Sequence, residues 1–474
     1  MRRYSLGPRG LNAMATTGLV LLSTACAAPS LPGVVAAPAP LPSPSVATVS
    51  SDGAPSHDGW AFLGSARLDS VIAHAWQRHP SIDAATAAVR QAEESAAARH
   101  GATQWPQADV GLGTQRQRFN PAVLGQNTPP REFSLVSASV NVRYTFDLFG
   151  GDRAVGQSLR HRADGRRFEL EGARAALGAA IANAAVNQAW QRALLNTWVR
   201  LEQLEMARLT TLQAQHALGA APSDAVAAQE RALHDTRVTR SRQALVLAEA
   251  GNRLAMLTGD TAADQYDVSF SLHDFAVTSR VADSIASSLV LTRPDVRAAD
   301  AYMRATHAEY AAAVARAYPR LQLTASTASQ VLAGGSLFGP GSAVYSMLSQ
   351  LTQPLFQRGQ AAERRAALAG FEGAFAQYEY VVLDAWRSVR DLLAAQAQHA
   401  HAIESLTLRE ASARAAFERV ARQVALGGAS RWQLLNAEYA RESATLALRQ
   451  EQLHQITDRI AWYQAVPGAY AAGF

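Results

Sequence analysis

Two long stretches without proline, residues 152–218 and 359–425, constrain the fold of this chain most strongly. Each carries apolar residues at helical spacing, which places them on one face of a helix that must pack against another helix. At about 1.5 Å per residue, each helix would be on the order of 100 Å long, which exceeds the size of a compact domain. In the second stretch the apolar face comprises Phe371, Phe375, Tyr378, Val382, Ala385, Val389 and Leu392.

Matching landmarks flank both stretches in the same order, which indicates an internal duplication. In each half a proline opens an alanine-rich helical run, a second proline ends it 25 or 26 residues later, and an alternating segment follows. Each long helix then ends at a glycine turn, and a returning helix follows the turn. The paired landmarks are Pro80 and Pro294, Pro106 and Pro319, Phe149 and Phe356, and Gly219 and Gly427.

These landmarks define the predicted domain organisation. A first repeat covers residues 68–262 and a second covers residues 289–466, with an inter-repeat connector at 263–288 and a tail at 467–474. Each repeat should contain an opening helix, two strands, a long helix and a returning helix, and we expect the first opening helix to run from residue 68 to 101. The predicted strands are 107–118, 134–147, 320–331 and 343–355, and the predicted returning helices are 223–257 and 431–463.

Apolar and polar residues alternate strictly between Ser134 and Asp147, with Val136, Val140 and Tyr144 among those on the apolar face. Alternation over about ten residues with aromatic residues at one end is typical of a membrane-spanning β-strand. A soluble antiparallel sheet also alternates, but four strands among so many helical residues favour the membrane interpretation. Four strands cannot close a barrel, and open edges are not tolerated in lipid, so several chains must pool their strands.

The N-terminal residues 1–25 are typical of a bacterial export signal. Three arginines precede a short apolar core and then small residues, which is the order found in secretory signals. Cys26 is the single cysteine and stands where bacterial lipoproteins are lipidated, although Ser23 occupies a position at which leucine is usual. Ordinary cleavage beside Cys26 is the alternative. Residues 26–67 are rich in proline and alanine, which favours an extended linker that would carry the lipid anchor.

Composition and side-chain clusters give no sign of catalysis. The formal charge of +5 comes entirely from arginine, and removal of the three arginines of the predicted signal leaves +2, so no nucleic-acid partner is indicated. His399 and His401 lie two residues apart on different helix faces and lack the carboxylate or cysteine company that a metal site would need, so we expect them on a solvated surface. We therefore predict a protein that is not an enzyme and has no metal or cofactor.

The export signal with Cys26 and the duplicated order of helix, strand pair, long helix, glycine turn and returning helix resemble the outer membrane efflux proteins of the TolC and OprM type, in particular their NodT-like lipoprotein branch. The resemblance covers roughly residues 68–466 and lies in the architecture more than in any short motif. It implies a mainly α fold with a transmembrane β-barrel part. In this fold a homotrimer forms a twelve-stranded barrel in the bacterial outer membrane, which continues into the periplasm as a long antiparallel α-helical tunnel.

If the chain forms such a tunnel, its function concentrates at the two glycine turns, which would form the periplasmic tip. Gly219, Gly427 and Gly428 are the predicted turn residues, because a reversal between long antiparallel helices needs a left-handed or strained backbone position. The family implies that charged and polar side chains near the tip form the entrance, where threefold symmetry converts each inward charge into a ring. The candidate entrance residues are Gln215, Asp224, Glu418, Arg422 and Gln423.

The resemblance implies passive conduction of drugs or other small toxic compounds, with a periplasmic adaptor (membrane fusion) protein and an inner membrane pump as partners. A duct of a type I protein secretion system is an alternative with the same architecture. A periplasmic coiled-coil scaffold is a third hypothesis, which would keep the long helices but would not need lipid-facing strands. The linker after Cys26 favours the efflux branch, and the alternation around Val140 disfavours the scaffold.

Overall fold

The computed structural model describes residues 60, 63–121, 125, 127–259, 269–275, 290–339 and 341–466. The predicted export signal, Cys26 and the predicted tail at 467–474 lie outside the described residues, as do most of the predicted linker and most of the inter-repeat connector. The described part of the connector contains one short 3-10 turn, Leu272–Asp274.

Long helices dominate the described residues. In chain order the elements are α1 (Ala66–Arg78), α2 (Pro80–Gln104), β1 (Gln107–Phe119), β2 (Arg131–Phe146), α3 (Gly151–Ala217), α4 (Ser223–Thr258), α5 (Pro294–Ala315), β3 (Arg320–Leu332), β4 (Ala343–Thr352), α6 (Arg358–Ala425) and α7 (Arg431–Ala465). The long helices α3 and α6 contain 67 and 68 residues, and each is followed by a returning helix. No described helix combines the length and the apolar character that crossing a membrane requires.

The first opening helix is broken, so the prediction of one helix from residue 68 to 101 is wrong. Proline lacks an amide N–H and disfavours helical backbone in the residue before it, so helices usually end just ahead of a proline. His79 accordingly has an extended conformation with ψ at 127°, and its Nδ1 atom accepts a hydrogen bond from the Ser81 amide at 3.2 Å. α1 also begins inside the predicted linker, where the Ser65 side chain caps its N-terminus.

One antiparallel sheet contains the four described strands in the order β1-β2-β3-β4. Its register aligns Val110 with Val140, Val140 with Thr327, and Thr327 with Tyr345. Because side chains alternate along each strand, this register brings the four predicted apolar rows to one face of the sheet. The predicted fold class, mainly α with four β-strands per chain, is confirmed. Among the described strands, β1 and β4 each have one edge without a partner.

The two long helices differ in the neighbours that surround them. α3 packs against α2 and α4 and also against α5 and α7, whereas α6 packs against α5 and α7 alone among the described helices. Burial differs accordingly: α3 contains 20 buried residues, and α6 contains two, Ala385 and Val389. Opposite these two residues, Tyr380 and Leu383 of α6 are 64% and 67% exposed. The side of α6 that carries Tyr380 and Leu383 is therefore uncovered by the described part of this chain.

The main hydrophobic core lies where the middle of α3 meets α1, α4 and α7. Trp60 enters this core ahead of α1 and is 2% exposed, and its ring lies 4.6 Å from that of Tyr463 on α7. Gly178 of α3 provides the space for the indole, because a Cβ atom at this position would lie 2.9 Å from Cζ2 of Trp60. The last residues of the predicted linker are therefore part of the core.

We expect Gly178→Ala to destabilise the protein relative to Gly156→Ala, although both glycines lie inside α3. Alanine favours a helix interior over glycine by roughly 0.5–1 kcal/mol at either position. At Gly178 the added methyl group would also collide with Trp60, and such overpacking costs about 1–3 kcal/mol. At Gly156 no atom lies within contact distance of the added Cβ.

Thermal unfolding followed by near-ultraviolet circular dichroism measures this difference, because the signal of Trp60 depends on its packing. The Gly156→Ala variant should unfold at or slightly above the temperature of the unaltered protein, and Gly178→Ala should unfold below it. Equal unfolding temperatures for the two variants would contradict the packing of Trp60 against α3.

Candidate functional site

The turn that follows α3 closes the helix with a regular pattern of backbone hydrogen bonds. Gly219 adopts a left-handed φ of +73°. Its amide donates to the carbonyl of His216 at 2.8 Å, and the amide of Ala220 donates to the carbonyl of Gln215 at 2.8 Å. These two bonds define a Schellman motif, in which a left-handed residue just after the helix lets two terminal carbonyls find donors.

The turn that follows α6 repeats this geometry. Gly427 has a φ of +72° and donates to Val424 at 3.1 Å, while the amide of Gly428 donates to the carbonyl of Gln423 at 2.8 Å. Gly428 is outside the left-handed region, and a Cβ atom there would make ordinary contact with the Gln423 carbonyl at 3.6 Å. Of the three predicted turn glycines, only Gly219 and Gly427 are therefore required by the backbone conformation.

The five candidate entrance residues lie around these turns, and their side chains form no hydrogen bond or ion pair with one another in the described part of the chain. Gln215 and Gln423 occupy equivalent positions, where their backbone carbonyls accept the bonds described above. Gln215 is partly buried and the other four residues are exposed. Glu418 and Arg422 lie four residues apart on α6, so they share one helix face. Asp224 lies in the first turn of α4.

A buried polar network close to the first turn was missed by the sequence analysis. Glu205 of α3 is 3% exposed and accepts hydrogen bonds from Arg208 at 2.9 Å and from the side-chain amide of Gln229 on α4. The guanidinium of Arg208 lies 5.0 Å and 5.5 Å from the ring centres of Trp432 and Tyr439 on α7, a favourable cation–π arrangement. The network therefore links α3 to both returning helices.

Ion pairs farther along α3 make the same connections. Glu202 binds Arg237 at 3.0 Å and Arg240 at 2.7 Å, both on α4. Arg200 pairs with Glu438 on α7. A glutamate in a largely buried position needs such partners, because an unpaired charge there would be costly. These contacts hold α3, α4 and α7 in one register behind the turns.

The expectation of a solvated surface is wrong for His399, whereas His401 is exposed. The ring of His399 lies between α6 and α7, contacts the carboxylate of Glu451, and places its Nε2 atom 3.2 Å from Oδ2 of Asp458. Burial raises the pKa of Asp458 above its usual range, although the nearby His399 and His454 act in the opposite direction. Even so, the described residues contain no group of three or more histidine, cysteine or acidic side chains arranged to hold a metal ion.

Comparison with known proteins points to one family. Residues 285–467, which correspond to the second repeat, match a family described as "Outer membrane efflux protein". The pyoverdine export outer membrane protein OpmQ of Pseudomonas putida is 26% identical over 473 residues, which cover 96% of this chain and 97% of that protein. The probable efflux pump outer membrane protein TtgC of the same organism is 26% identical over 364 residues, which cover 76% of this chain and 74% of TtgC.

A solved structure shares the fold. The outer membrane protein VceC from Vibrio cholerae has a TM-score of 0.76 to this chain at 21% sequence identity, and the likeness covers 87% of this chain and 98% of VceC. The duplicated helices and the four-stranded sheet thus have counterparts in the fold of VceC. Together with the similarity to OpmQ along nearly the whole sequence and the match of the second repeat, they make the chain similar to outer membrane efflux proteins along most of its length.

Proposed function

We propose that this chain is the outer membrane channel of a tripartite efflux system and passively conducts drugs or other small toxic compounds out of the cell. One observation carries the proposal: the elements that lack a neighbour are consecutive along the chain. The open-edged strand β4 leads directly into α6, which is covered on one side only, and α2 leads directly into the other open-edged strand, β1.

Internal duplication indicates what would cover α6. The first long helix, α3, lies against α2 and α4 of its own repeat and against α5 and α7 of the other repeat. α6 has α5 and α7, so its missing neighbours correspond to the α2 and α4 of another copy. Because α2 leads into β1, that copy would also bring its β1 beside the open edge of β4. Repetition of this contact around an axis closes the sheet without leaving an edge, as lipid requires.

We infer that three copies complete the ring, as the family resemblance implies. Three sheets of four strands would form a twelve-stranded barrel in the outer membrane, and the helices, on the order of 100 Å long, would extend into the periplasm. Selection in such a duct depends on width and charge, so it needs no catalytic group. An inner membrane pump would supply the energy and a periplasmic adaptor would dock near the turns.

The named relatives support efflux over the two alternatives. OpmQ is named for the export of pyoverdine and TtgC for an efflux pump, whereas a type I system would export proteins. A periplasmic scaffold would have no use for a sheet with an apolar face and two open edges. Export of small compounds therefore remains the function that we propose.

Deletion of the gene in its own bacterium should lower the minimal inhibitory concentrations of several unrelated toxic compounds, because their exit path through the outer membrane is lost. The set of secreted proteins should stay unchanged. Loss of a secreted protein without any change in susceptibility would favour the type I secretion duct instead.

Complementation of the deletion tests the predicted contact between copies. Leu383→Asp should fail to restore tolerance, because it would place a carboxylate at each contact between copies, where removal of a charge from water is costly. Unheated gels of outer membrane fractions should show that the trimer band is lost. Leu383→Met is the matched control and should keep both the trimer and the tolerance, since Leu and Met differ little in volume. A normal trimer of Leu383→Asp would place the interface elsewhere.

We also propose that Cys26 carries a lipid anchor, which its position directly after the apolar segment of the signal supports. Cells grown with a labelled fatty acid should incorporate the label into the unaltered chain and not into Cys26→Ala. Because the barrel itself would hold the protein in the membrane, Cys26→Ala should still sediment with the outer membrane. Label retained by Cys26→Ala would exclude this attachment site.

Glu418 and Arg422 are the charges that we propose for the entrance ring, since both are exposed near the end of α6 and share one face. Three like charges in a ring bias the passage of ions. Reversal potentials measured across planar bilayers in a salt gradient should therefore shift toward cations with Arg422→Gln and toward anions with Glu418→Gln. If neither variant shifts the potential, these side chains lie outside the conducting path.

A further inference from the structure

A partly buried charged cluster joins α6 to α7 far from the glycine turn. His399 of α6 contacts Glu451 through Nδ1 and lies 3.2 Å from Asp458 through Nε2. The ring of His454, also on α7, stacks on His399 with centres 5.8 Å apart and planes inclined by 15°. Both ring nitrogens of one histidine therefore lie near carboxylate oxygens, although Oδ2 of Asp458 accepts no hydrogen bond.

The number of protons in this cluster decides whether both contacts are favourable. A neutral imidazole has one N–H donor, and an ionised carboxylate only accepts. Only the contact with Glu451 has hydrogen-bond geometry, and a neutral ring can make it. The contact with Asp458 is an attraction between charges, so it is favourable only if the ring carries a second proton. Burial raises the pKa of Asp458, which makes this carboxyl a second place where the extra proton can reside.

The first repeat contains a matching pair of side chains that does not titrate. His399 lies 28 residues before Gly427 and Glu451 lies 24 residues after it, and Gln191 and Gln243 lie at the same distances from Gly219. In the structure the side-chain amide of Gln243 donates to the side-chain carbonyl of Gln191 at 2.6 Å. The positions equivalent to His454 and Asp458 are Val246 and Ala250. The duplicated contact is thus neutral between α3 and α4 and charged between α6 and α7.

The residues of α7 around the cluster turn apolar side chains toward α3. Leu453, Ile456 and Ile460 of α7 pack against the hydrophobic core of α3. α5 contacts α6 around Val389, which lies ten residues from His399, or about 15 Å along the helix. The titratable groups of the described residues that face His399 are therefore Glu451, His454 and Asp458.

We propose that His399, Glu451 and Asp458 form a proton-dependent lock between α6 and α7, and that the pair of Gln191 and Gln243 is its pH-independent counterpart between α3 and α4. The closed lock binds one proton more than the separated groups, so its stability falls as the pH rises. The contact is strongest at acid pH and weakens as the pH rises.

Release of the lock would loosen the contact between α6 and α7 and leave the contact between α3 and α4 unchanged. Both α6 and α7 continue from the lock to the turn at Gly427, so the loosening would reach the proposed entrance. This consequence for conduction depends on the proposed function. The lock itself belongs to a single chain and can be tested without the pump and the adaptor.

Hydrogen exchange of the full chain, read by mass spectrometry at about pH 5.5 and about pH 8, tests the lock. After correction for the intrinsic exchange rate, peptides that contain His399 or Glu451 should lose about tenfold in protection at the higher pH, which corresponds to about 1.4 kcal/mol. Peptides that contain Gln191 or Gln243 serve as the control within the same molecule and should keep their protection. An equal change in both helix pairs would overturn the proposal.

The double variant His399→Gln, Glu451→Gln provides the matched control, because it installs in the second repeat the pair that the first repeat already contains. Protection of its α6 and α7 peptides should be the same at both pH values. A full pH dependence in this variant would overturn the proposal and assign the effect to His454 and Asp458. If the variant does not fold, the comparison of the two helix pairs in the unaltered chain still decides. Failure of the lock would leave the efflux proposal intact, because gene deletion tests that proposal separately.

Discussion

Unpaired backbone groups along the outer edges of β1 and β4 set the strongest constraint on this chain. An N–H or C=O group that finds no partner in lipid costs several kcal/mol, so a four-stranded sheet cannot remain open there. The helices also lack a neighbour on one side, since Tyr380 and Leu383 of α6 are exposed. Because β4 continues into α6 and α2 continues into β1, one contact between copies would cover both the open strand edges and the uncovered side of α6.

Duplication gave the two halves the same backbone plan and different side-chain chemistry. Both long helices end in the same Schellman turn, with Gly219 and Gly427 in the left-handed region. Behind the turns, the first repeat has the buried network of Glu205 and its partners, and the second has the charged cluster around His399. In a ring built from such chains, pairs of α3 and α4 would alternate with pairs of α6 and α7. The two kinds of pair would be held together by different side-chain contacts.

The main elements of the fold could be predicted because their signals are local. Helical periodicity, proline positions and strand alternation indicated the long helices, the four strands and the glycine turns from the sequence. Contacts between distant helices could not be predicted in this way. Glu205 stands among the leucines of an apolar stripe, which signals burial, yet its partners Arg208 and Gln229 are identified only by the packing. His399 was misjudged for the same reason, since Glu451 and Asp458 belong to another helix.

The break in the first opening helix was also not predicted, although a proline inside an alanine-rich run divides a helix. Pro80 follows the predicted start of the first opening helix by 12 residues, and its missing N–H separates α1 from α2. The burial of Trp60 was hidden by the proline-rich composition of the segment ahead of it. Composition describes an average over many residues, whereas a single indole packed against Gly178 is enough to bring Trp60 into the core.

The number of chains in the folded complex tests the central claim most directly. Native mass spectrometry of the protein, extracted from outer membranes in a mild detergent, should give three times the mass of the mature chain. A complex of one chain that keeps all four strands would contradict the account, because the edges of β1 and β4 would then need no partner from another copy.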